Sequence, residues 1–235
     1  PAGPLNYENT SEHAHVRLTL QPAIAGQPDL QTQLYGEGVR ELRTFSEGAQ
    51  ADRTEFSGAA GMGPYEKLTA WRVPHQTGKL MSLLRVTYES AGGVHPNMDF
   101  GYALWDKATR RRMEATALLR PGADTSALDR ALCDALRAAR RARLTEMAGP
   151  EAGAMETTCP GWSDSIVTLA PSTTPGKAGG LIFVLMPGPH AEGAYALVVP
   201  LSAFQAQLAP AYADEFAGAP VKTGEVSDDI DLNVS

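Results

Sequence analysis

The sequence lacks an apolar run long enough to cross a bilayer. A spanning helix needs about 18 consecutive apolar residues, and the longest run, at 180–186, is only strand-sized. Cysteine is scarce: Cys133 and Cys159 stand alone and no C-x-x-C occurs, which argues against dithiol redox catalysis. Neither G-x-S-x-G nor H-E-x-x-H is present, so neither a nucleophile elbow nor a helical zinc-peptidase site is encoded. Aromatic residues make up 7% of the chain and seldom interleave with the arginines. The stacking surface that a nucleic-acid strand requires is therefore missing, and no nucleic-acid partner is expected. No motif calls for a cofactor.

What is present is a globular composition. The 235 residues are 43% hydrophobic and 20% charged, which fits a folded chain of one large domain or two small ones. The net charge is -7, but it is unevenly placed. Between positions 107 and 143 ten basic residues face four acidic ones, leaving the rest strongly acidic. Such polarity steers partners: an anionic polymer to the basic stretch, a cationic protein to the remainder. The chain begins at Pro1, and a leader or anchor is expected to have been removed. Any membrane association is then expected only through an anchor absent from this chain. In an oxidising compartment Cys133 and Cys159 can pair, closing a loop of roughly 27 residues worth about 3–3.5 kcal/mol. Two buried free thiols in a cytosolic protein are the alternative.

Periodicity gives the elements. Residues 1–12 are polar and unpatterned and are expected to be loose. His15 to Leu20 alternates as a strand. Asp29 can cap a helix to about Phe45, which Gly36 and Gly38 weaken, and 47–63 reads as a long loop. Strands follow at 65–73, 80–88 and 98–105, the first two joined at Thr77-Gly78, with an exit turn at 106–109. The clearest helix is 125–147, with Ser126 and Asp129 at capping-box spacing and Gly149-Pro150 as its stop. Strands at 165–169, 181–186 and 194–199 and a short helix at 201–208 complete the chain before an acidic, mobile tail from Pro220. Clustered strands argue for an α+β fold with antiparallel sheets, one long helix packed on each of two similar units. The expected division is a loose segment at 1–13, one unit at 14–120, a second at 121–218 and the tail at 219–235.

Three stretches carry a family resemblance: 86–97 at the end of a strand, the Leu118-Leu119 step, and 187–195 leading into Val198-Val199-Pro200-Leu201. Together they resemble the extracytoplasmic domain shared by the anti-sigma factor RsiV and the peptidoglycan deacetylase PdaC, with the domain that usually precedes it. In that family a Tyr-x-Gly-Gly-Ala-His-Pro-like turn recurs, and Val94 replaces its alanine here. The second loop only approximates the family's pattern. The resemblance spans roughly 14–216, with 121–218 as the RsiV/PdaC-like unit. It implies a periplasmic or otherwise extracytoplasmic location, with a lipid anchor, and, from the anti-sigma member, recognition of lysozyme. The deacetylase's chemistry resides in a separate metal-dependent domain that nothing here matches.

Ligand-binding residues expected on this basis are Tyr88, Gly92, Gly93, His95, Pro96, Asn97, Pro189, Glu192 and Tyr195. Paired glycines allow a sharp turn and Pro96 fixes its exit. His95 and Asn97 can then either hydrogen-bond a sugar or protein cleft or satisfy the turn's own backbone. His13 and His15 alternate as metal ligands would, without a third ligand nearby. The D-x-D-x-N at 229–233 lacks the glycine and the twelfth-position glutamate of a calcium loop. Arg137, Arg140 and Arg141 share a helix side and suit phosphate or an anionic glycan, or else solvent. No catalytic set emerges. The expected function is a non-catalytic envelope binding or sensing module for lysozyme, another envelope protein or a peptidoglycan-related ligand. The alternatives are a polysaccharide-active deacetylase or hydrolase, and an accessory domain that holds glycan on Trp71, Trp105 and Trp162.

Overall fold

The computed structural model describes residues 3–55, 63–93 and 95–234. Part of the loop expected at 47–63, Val94 of the glycine turn and the side chain of His190 lie outside the described residues. The fold is α+β. Strands β1 (Asn6–Thr10), β2 (Ala14–Leu20), β3 (Tyr65–Gln76), β4 (Leu80–Ser90), β5 (Asn97–Asp106) and β6 (Arg111–Met113) form one sheet in that order. Strands β7 (Ile166–Pro171), β8 (Ala178–Leu185), β9 (Tyr195–Pro200) and β10 (Gly224–Glu225) form a second, ordered β10-β9-β8-β7. The long helices are α1 (Pro28–Glu55) and α2 (Ser126–Ala148); α3 (Pro150–Gly153) and α4 (Pro210–Ala213) are single turns.

By its contacts the chain divides into two compact units. Unit one comprises 1–73, 84–101 and 233–235; unit two comprises 74–83 and 102–232. The division runs through β3, β4 and β5, so those strands supply residues to both.

In unit one, β2 alternates with a period of two: Ala14, Val16, Leu18 and Leu20 are buried and the residues between them half-buried. β2 pairs with β3 in parallel, Ala14 opposite Tyr65 through Leu20 opposite Trp71. A parallel pair needs a long crossover, and α1 provides it, burying Leu30, Leu34, Val39 and Leu42. Gly38 serves this packing rather than weakening the helix. A Cβ there would sit 2.8 Å from Leu18 Cδ2, so only glycine lets α1 come this close to β2. The helix also outruns its expected end at Phe45, because its buried face continues to Ala49. The hydroxyls of Ser46 and Thr54 bond back to the carbonyls of Leu42 and Gln50, a common accommodation of Ser and Thr within helices. The N-terminal segment expected to be loose is partly strand: β1 lies antiparallel on β2, Tyr7 opposite Leu18. Its side chains are mostly exposed, so backbone pairing holds it and no hydrophobic alternation announces it.

In unit two, α2 buries Leu128, Leu132, Leu136 and Ala139 and packs against β9. β8 is buried along its whole length, as befits a central strand with a continuous apolar run. Phe204 meets Phe216 edge to face at 5.6 Å. The expected helix at 201–208 is two 3-10 turns, Leu201–Ala203 and Gln205–Gln207. The expected capping box does not form. Thr125 occupies the N-cap, and Asp129 instead accepts the Trp162 N–H at 2.9 Å and the Thr125 hydroxyl at 3.2 Å. The acidic tail is docked over part of its length. Its β10 pairs with β9, Val226 is buried and the Val226 N–H reaches the Ala196 carbonyl at 2.7 Å.

Candidate functional site

The apolar ladder of α2 steps by four: Leu128, Leu132, Leu136. The next step is Arg140, which therefore points inward and is only 7% exposed. A buried guanidinium requires partners, and it has them. Its Nε donates to Glu192 Oε1 at 2.7 Å and its Nη2 to Oε2 at 3.2 Å, while Nη1 reaches the Glu156 carbonyl at 3.1 Å. Glu192 also accepts the Tyr195 hydroxyl at 2.8 Å. The Arg140 hydrogen bonds hold the Glu192 carboxyl below its ordinary range, whereas burial, with the Glu192 contact, pushes the Tyr195 phenol up. One turn on, Arg143 donates to the carbonyls of Glu192 and Ala194 at 2.8 and 2.9 Å, stacks 3.6 Å from the Tyr195 ring centroid and pairs with Glu225. A Cβ on Gly188 would lie 1.8 Å from Glu192 Oε2, so glycine is required where the 187–193 loop crosses the carboxylate. Of the expected binding residues in this loop, Pro189 is exposed, whereas Glu192 and Tyr195 are buried with their polar atoms engaged internally.

Arg137 and Arg141 diverge from Arg140. Both are exposed, and neither has an ionic or hydrogen-bond partner among the described residues. With Leu144 they line one side of a groove of about 300 Å3, and Gly153 to Thr157 lines the other. That second wall is tied down by the Arg140 bond to Glu156 and by the Cys133–Cys159 disulfide, Cα to Cα 5.2 Å. Sequence spacing put the three arginines on one side of the helix. It missed that Arg140 continues the buried ladder, although the four-residue step was there to read.

The glycine turn joins β4 to β5 in unit one. Tyr88 is half-buried, Gly92 has φ of 78° and lies exposed beside Gly93, and Pro96 is half-buried. His95 and Asn97 are exposed, and their side chains have no hydrogen-bond partner among the described residues. Among the described residues, neither side chain is spent on the turn's own backbone. The flanking charges are paired: Arg85 with Asp99 at 2.9 Å, and Lys67 with Glu41 and Glu89 at 2.9 and 3.0 Å. Tyr88, Gly92, Gly93, His95, Pro96 and Asn97 thus belong to unit one, while Pro189, Glu192 and Tyr195 belong to unit two.

His15 is engaged on both ring nitrogens, Nδ1 with Glu66 and Nε2 with Glu8, each at 2.9 Å, and His13 pairs with Glu12 at 3.2 Å. Asp229 of the D-x-D-x-N pairs with Lys222. Among the described residues no three His, Cys, Asp or Glu side chains gather as a metal site would require. Trp71, Trp105 and Trp162 are 8%, 1% and 5% exposed. They are core residues, and a glycan platform built on them is ruled out.

No protein-family model matches the chain, and no curated protein matches it. Among solved structures, the fold is similar to a DUF3298 family protein from Pseudomonas aeruginosa PAO1, with 16% identity, a TM-score of 0.55, and coverage of 92% of this chain and 99% of that one. It is also similar to a DUF3298 family member from Bacteroides fragilis, with 15% identity, a TM-score of 0.55, and coverage of 89% and 94%. At this identity the likeness shows the fold.

Proposed function

We propose that this chain is a non-catalytic binding module of the cell envelope, and that unit one presents the docking surface. The observation that carries the reading is the β4–β5 turn, whose exposed His95 and Asn97 side chains have no hydrogen-bond partner among the described residues. Two long strands fix the backbone at the turn's base, so less backbone ordering is left to binding. The partner is a cationic envelope-directed protein, with lysozyme as the representative that the resemblance to RsiV suggests. Unit one carries eleven carboxylates against seven Lys and Arg, a balance that attracts such a protein and repels an anionic wall polymer.

The test is calorimetric titration of the full chain with lysozyme at low salt. Binding that weakens with salt and in His95→Ala and Asn97→Ala variants is the expected result. Absence of binding removes lysozyme as the partner, and binding indifferent to both variants removes the turn.

A further inference from the structure

We propose that the groove between α2 and residues 153–157 of unit two is a binding site for a short acidic peptide. This goes beyond the reading of unit one and is independent of it. The chain holds 27 carboxylates and 20 Lys and Arg, yet Arg137 and Arg141 remain unpaired among the described residues while Arg140 and Arg143 beside them are fully engaged. Two free guanidinium forks one helical turn apart face an opening of about 300 Å3. Their Cβ atoms stand about 5–6 Å apart, a span that lets both grip one carboxylate or two neighbouring ones bidentately.

The rest of the lining selects peptide over phosphate. Leu144 and Met155 add apolar surface, and Met155 is 59% exposed with nothing packed over it among the described residues. Glu156 also lines the groove. Its carboxylate can accept a peptide N–H. Carboxylates set on a partly apolar, amide-bearing chain match all three features. The disulfide and the Arg140 bond to Glu156 hold the second wall in place before binding, so little ordering is left to the ligand.

The experiment titrates the full chain with the peptide acetyl-Ala-Glu-Ala-Glu, with its side-chain-amidated counterpart, and with inorganic phosphate. The acidic peptide is expected to bind. Arg137→Ala and Arg141→Ala are each expected to weaken it about tenfold, a modest loss because both contacts are solvent-exposed. Arg141→Lys should restore only part of the affinity, because an ammonium lacks the fork. Both arginines are exposed, so an unchanged melting midpoint in the variants confirms that folding is intact. Amidated peptide or phosphate binding equally well overturns the proposal, as does no binding of the acidic peptide. Lysozyme binding by the same variants should be unaffected, which separates failure of this site from failure of the turn.

Discussion

Arg140 and Glu192 lie 52 residues apart in the chain and meet as a two-pronged buried ion pair, Nε to Oε1 at 2.7 Å and Nη2 to Oε2 at 3.2 Å. The pair fastens the loop before β9 to α2. Because both residues are buried, removing one leaves the other charged, desolvated and unpaired. Glu192→Ala is therefore expected to cost about 3–5 kcal/mol. Replacing both residues with apolar ones of similar volume should cost far less, because no charge is then stranded. Urea denaturation of the single and double variants checks this. Equal losses in both would show that the charges themselves carry little of the effect.

The same pair sets an acid limit. The Glu192 carboxyl is held below its ordinary range, chiefly by the Arg140 hydrogen bonds. Its contribution is then fully present above the unfolded glutamate pKa of about 4.3 and is lost as pH falls through the folded value. Glu192→Gln removes that titration. Denaturation midpoints measured from pH 7 down to pH 3 should fall more steeply for the native chain than for the variant. Parallel curves would assign the acid sensitivity to other carboxylates.

How much of this was legible in the sequence differs by element. Apolar spacing located α2 and β8, since Leu128, Leu132 and Leu136 recur every four residues and 181–185 is apolar throughout. The same rule hid Arg140, because an arginine reads as solvent-facing until the glutamate that neutralises it is known, and that glutamate is distant in the chain. β1 and β10 were invisible for another reason. Their side chains are mostly exposed and they are held by backbone pairing to β2 and β9, which leaves no pattern in the residues. The glycine turn could be placed, but whether His95 and Asn97 were spent internally could not, because that depends on which backbone groups the turn leaves unpaired.

The Cys133–Cys159 bond joins α2 to the segment that follows α3, across 26 positions. Cross-linking a loop of that length should stabilise the chain by about 3 kcal/mol by restricting the unfolded ensemble. A Cys133→Ser, Cys159→Ser double variant should lose roughly that amount in urea, and dithiothreitol should bring the native chain to the same midpoint. An unchanged midpoint under full reduction, verified by thiol counting, would mean that residual structure in the unfolded ensemble already keeps the two ends of the loop close.

His15 sets a limit at the opposite end of the pH scale. It stands on β2 between Glu8 of β1 and Glu66 of β3, with one ring nitrogen on each carboxylate at 2.9 Å. Both contacts are satisfied best by the imidazolium, whose two N–H groups donate at once. The hydrogen bonds to Glu8, then Glu66, raise its pKa above the ordinary value of 6.5. A raised folded pKa means the contribution is fully present below about pH 6.5 and is lost as pH rises through the folded value. The ring is partly exposed, so the contribution should not exceed about 1 kcal/mol. The native chain should therefore lose stability between pH 6 and pH 8.5 relative to His15→Gln, whose side chain does not titrate. Because β1 is an edge strand held otherwise by backbone pairing, its amides should also exchange faster at the higher pH than intrinsic chemistry explains. A native-minus-variant difference that stays flat over that interval would show that the two glutamates do not hold the ring in its charged form.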